Sequence, residues 1–169
     1  MTRRCILTLL LSVACLIAHG QDLRTGVPTP DGGFLAAGDY LAWLDAAGNI
    51  QRKLPLDHPL TALVSWDGRL YALEADGRKL LCLDGNGSVV SREALPVQGR
   101  LRALASDRNT LWAVTDAGEI AHRTGASGWV VLDFNAQYTG YYPAMDFRAV
   151  AAGGGRGLGG RRRPGRGAP

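Results

Sequence analysis

The chain repeats itself, and that limits what it can fold into more than anything else in it. Leu60-Thr61-Ala62-Leu63-Val64 returns 41 residues later as Leu101-Arg102-Ala103-Leu104-Ala105, and 46 residues further on as Phe147-Arg148-Ala149-Val150-Ala151. Behind the first two copies, Gly68-Arg69-Leu70-Tyr71-Ala72-Leu73 matches Asn109-Thr110-Leu111-Trp112-Ala113-Val114 at the same offset. A fixed period of this length marks one supersecondary unit stacked on its own copies, because a single unit cannot bury its apolar face alone. Within each unit the apolar residues come in short runs separated by Gly, Asp and Asn, and no stretch between Gly33 and Val150 has a helical period.

The turns set the number of strands in a unit. Asp76-Gly77 and Ala117-Gly118 are followed by further runs at Lys79 to Leu83 and Glu119 to Arg123. Asp84-Gly85-Asn86-Gly87 and Gly125-Ala126-Ser127-Gly128 then lead to Ser88 to Leu95 and to Trp129 to Phe134. Glycine at such places supplies the positive φ of a tight hairpin. Each unit therefore reads as a four-stranded meander, the size of a propeller blade. A degraded earlier copy spans Gly33 to Leu54, where the segment from Leu41 to Ile50 matches either of two later strands. The expected fold is all-β: a partial β-propeller of about three four-stranded antiparallel blades over 33–150. Before it come a leader over 1–20 and a linker over 21–32, and a Gly/Arg-rich tail over 151–169 follows.

Leu70-Tyr71-Ala72-Leu73-Glu74-Ala75-Asp76-Gly77-Arg78-Lys79-Leu80 resembles the repeat of bacterial quinoprotein-type propellers, in which Leu-Tyr-Ala-Leu-Asp, a turn and Gly-Lys precede an aromatic residue. Cys82 stands about where that family places Trp. Asn109 to Trp129 is closer to tectonin-like repeats, with Leu-Trp-Ala-Val, Gly-x-Ile and a closing Trp. The resemblance covers about 110 residues and implies blade architecture. It is nearly silent on activity, since such blades carry dehydrogenases, scaffolds and carbohydrate binders.

The first twenty residues have the parts of a secretory leader: Thr2-Arg3-Arg4, an apolar run from Cys5 to Ala18, and the small-x-small site Ala18-His19-Gly20, with cleavage expected between Gly20 and Gln21. That run is short of the ~20 residues a retained spanning helix needs, so no transmembrane segment is expected after cleavage. Leu11-Ser12-Val13-Ala14-Cys15 also resembles a lipobox, which leaves lipid anchoring through Cys15 as the alternative to a periplasmic or secreted protein. The mature chain keeps Cys82 alone, so no internal disulfide can form. In an apolar run, Cys82 reads as a buried inert thiol.

The formal charge of +4 comes from the ends. Two Arg lie in the leader and five in the tail, neither of which holds an acid, so the body between them is net acidic. Its cations are scattered among Asp and Glu, no phosphate-tracking stripe forms, and no nucleic-acid partner is expected. In 151–169, every residue but Leu158 is Ala, Gly, Arg or Pro. A segment of that composition builds no core. It reads as a frame-shifted or truncated end, as an inert terminus, or as an anion-binding tail.

Site chemistry is sparse. Gly155, Gly157 and Gly160 spell GxGxxG but lack the flanking strand and helix that a dinucleotide site requires. Asp84-Gly85-Asn86-Gly87 lacks the later ligands of a calcium loop. His58 and His122 fall in different repeats with no triad spacing, and Asp67, Asp76, Asp107 and Asp116 recur at corresponding turns, which they cap. No catalytic residue, metal ligand or cofactor site is therefore expected. The Tyr-rich insertion from Asn135 to Pro143 is the candidate interaction loop, with Tyr138, Tyr141 and Tyr142 as its contacts. The sequence reads as a non-enzymatic exported module for protein or glycan interaction. The alternatives are a fragment of a periplasmic quinone-dependent dehydrogenase and a scaffold lipoprotein like that of outer-membrane assembly. With three blades and no caps, self-association through open sheet edges is also expected.

Overall fold

The computed structural model describes residues 23–140 and 144–152. Three four-stranded antiparallel sheets follow one another along the chain, each a meander in which consecutive strands pair. The first contains β1 (Leu23–Pro28), β2 (Phe34–Gly38), β3 (Tyr40–Leu44) and β4 (Ile50–Pro55). The second contains β5 (Leu60–Trp66), β6 (Arg69–Glu74), β7 (Leu80–Leu83) and β8 (Val89–Glu93). The third contains β9 (Leu101–Ser106), β10 (Thr110–Thr115), β11 (Glu119–Thr124) and β12 (Val130–Asp133), and a four-residue helix α1 (Phe134–Gln137) follows it. The expected all-β architecture of three blades is what the chain forms.

Alternation along the strands explains how the blades join. In β6, Tyr71 and Leu73 enter the core shared with the third blade, whereas Leu70 and Ala72 face the first. In β7, Leu80 and Cys82 point one way and Leu81 and Leu83 the other. A middle sheet covered on both faces needs apolar residues at every position, and this is the physical reason for the unbroken run Leu80-Leu81-Cys82-Leu83. Full burial of each Leu is worth roughly 1.5–3 kcal/mol. The first strands of the three blades pack in a row, marked by the Leu63 N–H donating to Thr25 Oγ1 (3.2 Å) and by the Ser106 hydroxyl donating to the Ser65 carbonyl (2.9 Å).

The structure corrects two expectations and settles a third. Residues 21–32 are not simply a linker, because β1 occupies Leu23–Pro28 and pairs with β2. Gly26 and Pro28 disguise it as a loop, yet a Cβ on Gly26 would overlap the Phe34 ring, so glycine is what lets that ring cross the strand. Phe147 to Ala151, the third copy of the repeat's opening segment, forms no strand. Residues 144–152 carry no strand, and the Phe147 N–H instead donates to the Thr115 carbonyl at 3.2 Å, with its ring edge-on to Phe134. A first blade strand is held by the strand that follows it, and none follows among the described residues. The open register of the first copy is settled by its turns. Asp45 and Asp84 each accept N–H bonds from the second and fourth residues after them at 2.9 and 2.8 Å, so β3 corresponds to β7.

Candidate functional site

The most heavily polar junction between blades lies where the second and third meet. The β5–β6 hairpin turns through Asp67 and Gly68, with φ of 49° and 71°, the two positive values of a type I′ turn. This tight turn brings Trp66, Asp67 and Arg69 together at the end of the second blade. The β11–β12 hairpin of the third blade ends beside it. Arg123 shares the inward face of β11 with Ala121 and Glu119, a consequence of the period of two.

The Arg123 guanidinium is walled by rings. Its central carbon lies 4.9 Å from the Trp129 centroid, 5.4 Å from that of Trp66 and 5.7 Å from that of Tyr71. Nη1 pairs with Glu93 at 3.0 Å, and Nη2 donates to the Tyr71 hydroxyl at 3.4 Å. The Trp129 indole N–H donates to the same Glu93 carboxylate at 2.9 Å. Burial, more than the neighbouring Cys82, holds the Tyr71 phenol above its ordinary pKa, against the lowering effect of Arg123. A cleft of about 350 Å³ opens here, lined by Trp66, Asp67, Arg69, Tyr71, Arg123 and the turn at 125–127. Two buried donors at this junction, Trp66 Nε1 and Arg123 Nε, have no partner.

A second polar centre lies at the opposite end of the same blades and is already saturated. The Glu119 carboxylate, 3% exposed, accepts from the N–H groups of Gln98 (2.9 Å) and Gly99 (2.9 Å) and from the Thr115 hydroxyl (2.9 Å). It fastens the link between the second and third blades to the β10–β11 hairpin. A Cβ on Gly99 would lie 2.7 Å from that of Ala117, which explains the glycine.

Of the expected interaction loop, Tyr138 is exposed at the end of α1 and stacks on Phe134, ring centroids 6.0 Å apart. Tyr141 and Tyr142 lie outside the described residues, as do Cys15, Gly20, Gln21 and the tail from 153. The loop is drawn in by Asn135, whose amide donates to the carbonyls of Ala117 (2.8 Å) and Met145 (3.1 Å) and accepts the Met145 N–H (2.7 Å). By the direction of β12, Tyr138 sits at the far end of the third blade from the Arg123 cleft. Asp76 and Asp107 each accept a backbone N–H at their own turns, whereas Asp116 accepts the N–H of Arg100 and pairs with Arg102, and Asp67 lies on the rim of the cleft. Cys82 is buried with its thiol free, and His122 stacks on Trp112 with centroids 4.9 Å apart. Among the described residues no cluster of three metal-ligating side chains occurs, and no helix is long and apolar enough to cross a membrane.

Trp66, Tyr71, Glu93, Arg123 and Trp129 were not expected as site residues from the sequence, where Tyr71 and Trp129 figure only as repeat positions. The signal present there is Glu119-x-Ala121-x-Arg123, two charges in phase with a buried alanine on a strand.

No family model matches this sequence, and no curated protein matches it. Solved structures do. A streptogramin B lyase is 16% identical, with a TM-score of 0.57 over 80% of this chain and 45% of its own. Virginiamycin B lyase from Staphylococcus aureus is 13% identical, with a TM-score of 0.54 over 66% of this chain and 41% of its own. The WD40 repeats of RRP9 are 12% identical, with a TM-score of 0.53 over 66% and 38%. The fold is that of a partial β-propeller. The chain spans less than half the length of each of these structures, and at such identities the likeness establishes fold alone.

Proposed function

We propose that this chain is a non-enzymatic β-propeller module, working outside the cytoplasm, that binds a protein or glycan partner through the end of its second and third blades. The observation that carries the reading is the cleft of about 350 Å³ where the second and third blades meet, lined by Trp66, Asp67, Arg69, Tyr71 and Arg123. That volume lies within the range of small-ligand sites. The leader-like residues 1–20 support export, with acylation at Cys15 as the other route. Val130 (50% exposed) and Leu132 (38% exposed) support self-association, because they leave the outward face of the third blade apolar.

The test is to probe peptide and glycan arrays with labelled full chain and to recover the retained ligands for mass spectrometry. Retention of a defined subset, recovered chemically unchanged and lost with Arg69→Glu, is the expected result. A recovered ligand that has been cleaved or oxidised would overturn the non-enzymatic reading, and no retention at all would overturn the binding reading.

A further inference from the structure

We infer that the outward faces of the first and third blades join two copies of this chain head to tail into a closed ring of six blades. The inference rests on the self-association proposed from Val130 and Leu132, and goes beyond it by naming the partner, both contact faces and the stoichiometry.

Strand register aligns the blades position by position. In the second blade Tyr71 lies opposite Cys82 and Leu73 opposite Leu80, and these four enter the core shared with the third blade. In the first blade Leu35 opposite Trp43 and Ala37 opposite Leu41 meet the second blade in the same way. The third blade carries Trp112 opposite His122 and Val114 opposite Ile120 at those positions, extended by the exposed Val130 and Leu132, and no further sheet lies against them among the described residues. The reverse side of each blade is equally regular. Ala113 and Ala121 of the third blade enter the core shared with the second, Ala72 and Leu81 of the second enter that shared with the first, and Ala36 and Ala42 are their counterparts in the first. Among the described residues, Ala36, Ala42 and Leu44 cluster only with Leu23, Phe34 and Tyr40 of their own blade. One chain therefore holds both halves of the joint that it already makes twice within itself.

Head-to-tail contacts give a ring where the rotation closes and a filament where it does not. Two copies bring six blades, inside the range of about four to eight at which propellers close. The stretch matched by this chain is 45% of the streptogramin B lyase and 41% of virginiamycin B lyase, so two copies come close to filling one such structure. The joint between the second and third blades also shows which residues meet. Arg123 there pairs with Glu93 at 3.0 Å. Leu44 holds the position of Arg123, opposite Phe34 as Arg123 is opposite Leu111, and Leu132 holds that of Glu93, opposite Ile120 as Glu93 is opposite Leu80. Leu44 of one copy thus meets Leu132 of the other, and an apolar contact takes the place of the ion pair.

The test is sedimentation of the full chain, unmodified and as two variants. The unmodified chain should show monomer and dimer in a concentration-dependent equilibrium, with nothing larger. Leu44→Arg and Leu132→Glu each place an unpaired charge in both joints and should raise the dissociation constant at least about tenfold. An equimolar mixture of the two variants should recover the dimer, because one joint then holds the Arg–Glu pair found between the second and third blades and the other keeps both leucines. A series of species beyond the dimer, a dimer indifferent to Leu44→Arg, or a mixture no better than either variant overturns the ring and leaves self-association standing. An unmodified chain that stays monomeric overturns both, and leaves the binding of a peptide or glycan at the cleft untouched. Hydrogen exchange of the unmodified chain covers the case in which a variant does not fold. Raising the concentration should slow exchange in 34–44 and 110–132 together, and slowing confined to the third blade overturns the inference.

Discussion

Glu119 shows how much one side chain can decide. With the backbone N–H groups of Gln98 and Gly99 and a threonine hydroxyl on its carboxylate, it fastens the link between the second and third blades to the β10–β11 hairpin. Truncation leaves those donors buried and unsatisfied, at 1–3 kcal/mol for each group. Glu119→Ala is therefore expected to lower unfolding stability by about 2–4 kcal/mol, read as a lower urea midpoint at constant slope, with Glu119→Gln losing less. Titration acts at the same scale. Backbone N–H bonds are the main cause that holds the carboxyls of Asp45, Asp107 and Asp116 below their ordinary value of 3.8. A depressed carboxyl binds its proton less tightly folded than unfolded, so its contribution is complete above that ordinary value and lost as pH falls through the folded one. The urea midpoint should stay level from about pH 7 to pH 5 and drop below about pH 4. The turn role of Asp107 was legible in the sequence, because Asx chemistry is local, whereas Asp116 takes the N–H of Arg100, 16 residues away, which no local pattern shows. Arg123 was not, since a single arginine reads as surface until the strand pairing shows which face it shares.

At the scale of elements, the β7–β8 hairpin joins the first two blades. Gly87 has φ of +83°, and a Cβ there would lie 2.6 Å from Leu41 Cδ1 and 3.0 Å from the Trp43 ring. Gly87→Ala forces the hairpin off the first blade as well as straining its turn, and about 2–3 kcal/mol of destabilisation is expected in thermal or urea unfolding. Gly85 in the same loop has nothing within 4 Å of its virtual Cβ, and Gly85→Ala should be nearly neutral. The strands of the second and third blades could be read from the 41-residue period and the turns, because the two copies match run for run. β1 could not be, since its signal is interrupted by the two residues that the packing of Phe34 and the following turn require. Phe147 to Val150 repeats the opening pattern of the other two copies without forming a strand, because the neighbour that would hold it is not among the described residues.

At the scale of the molecule, three blades share two inter-blade cores, while the third blade turns Trp112, Ile120, His122, Val130 and Leu132 outward. Sedimentation of the full chain is expected to show concentration-dependent association that Val130→Lys with Leu132→Glu reduces, whereas a single monomeric boundary unaffected by these changes would contradict it. The repeat made the architecture readable from sequence. The site was not readable, because it exists only where two blades dock, and its residues come from positions 66 to 129. The most direct test of the account is therefore hydrogen exchange of the full chain with and without the tightest array ligand. Protection confined to residues 66–71 and 123–129 is the predicted footprint. Protection of the Tyr138 loop and residues 144–147, with the cleft unchanged, would move the binding surface to the opposite end of the blades and contradict the account.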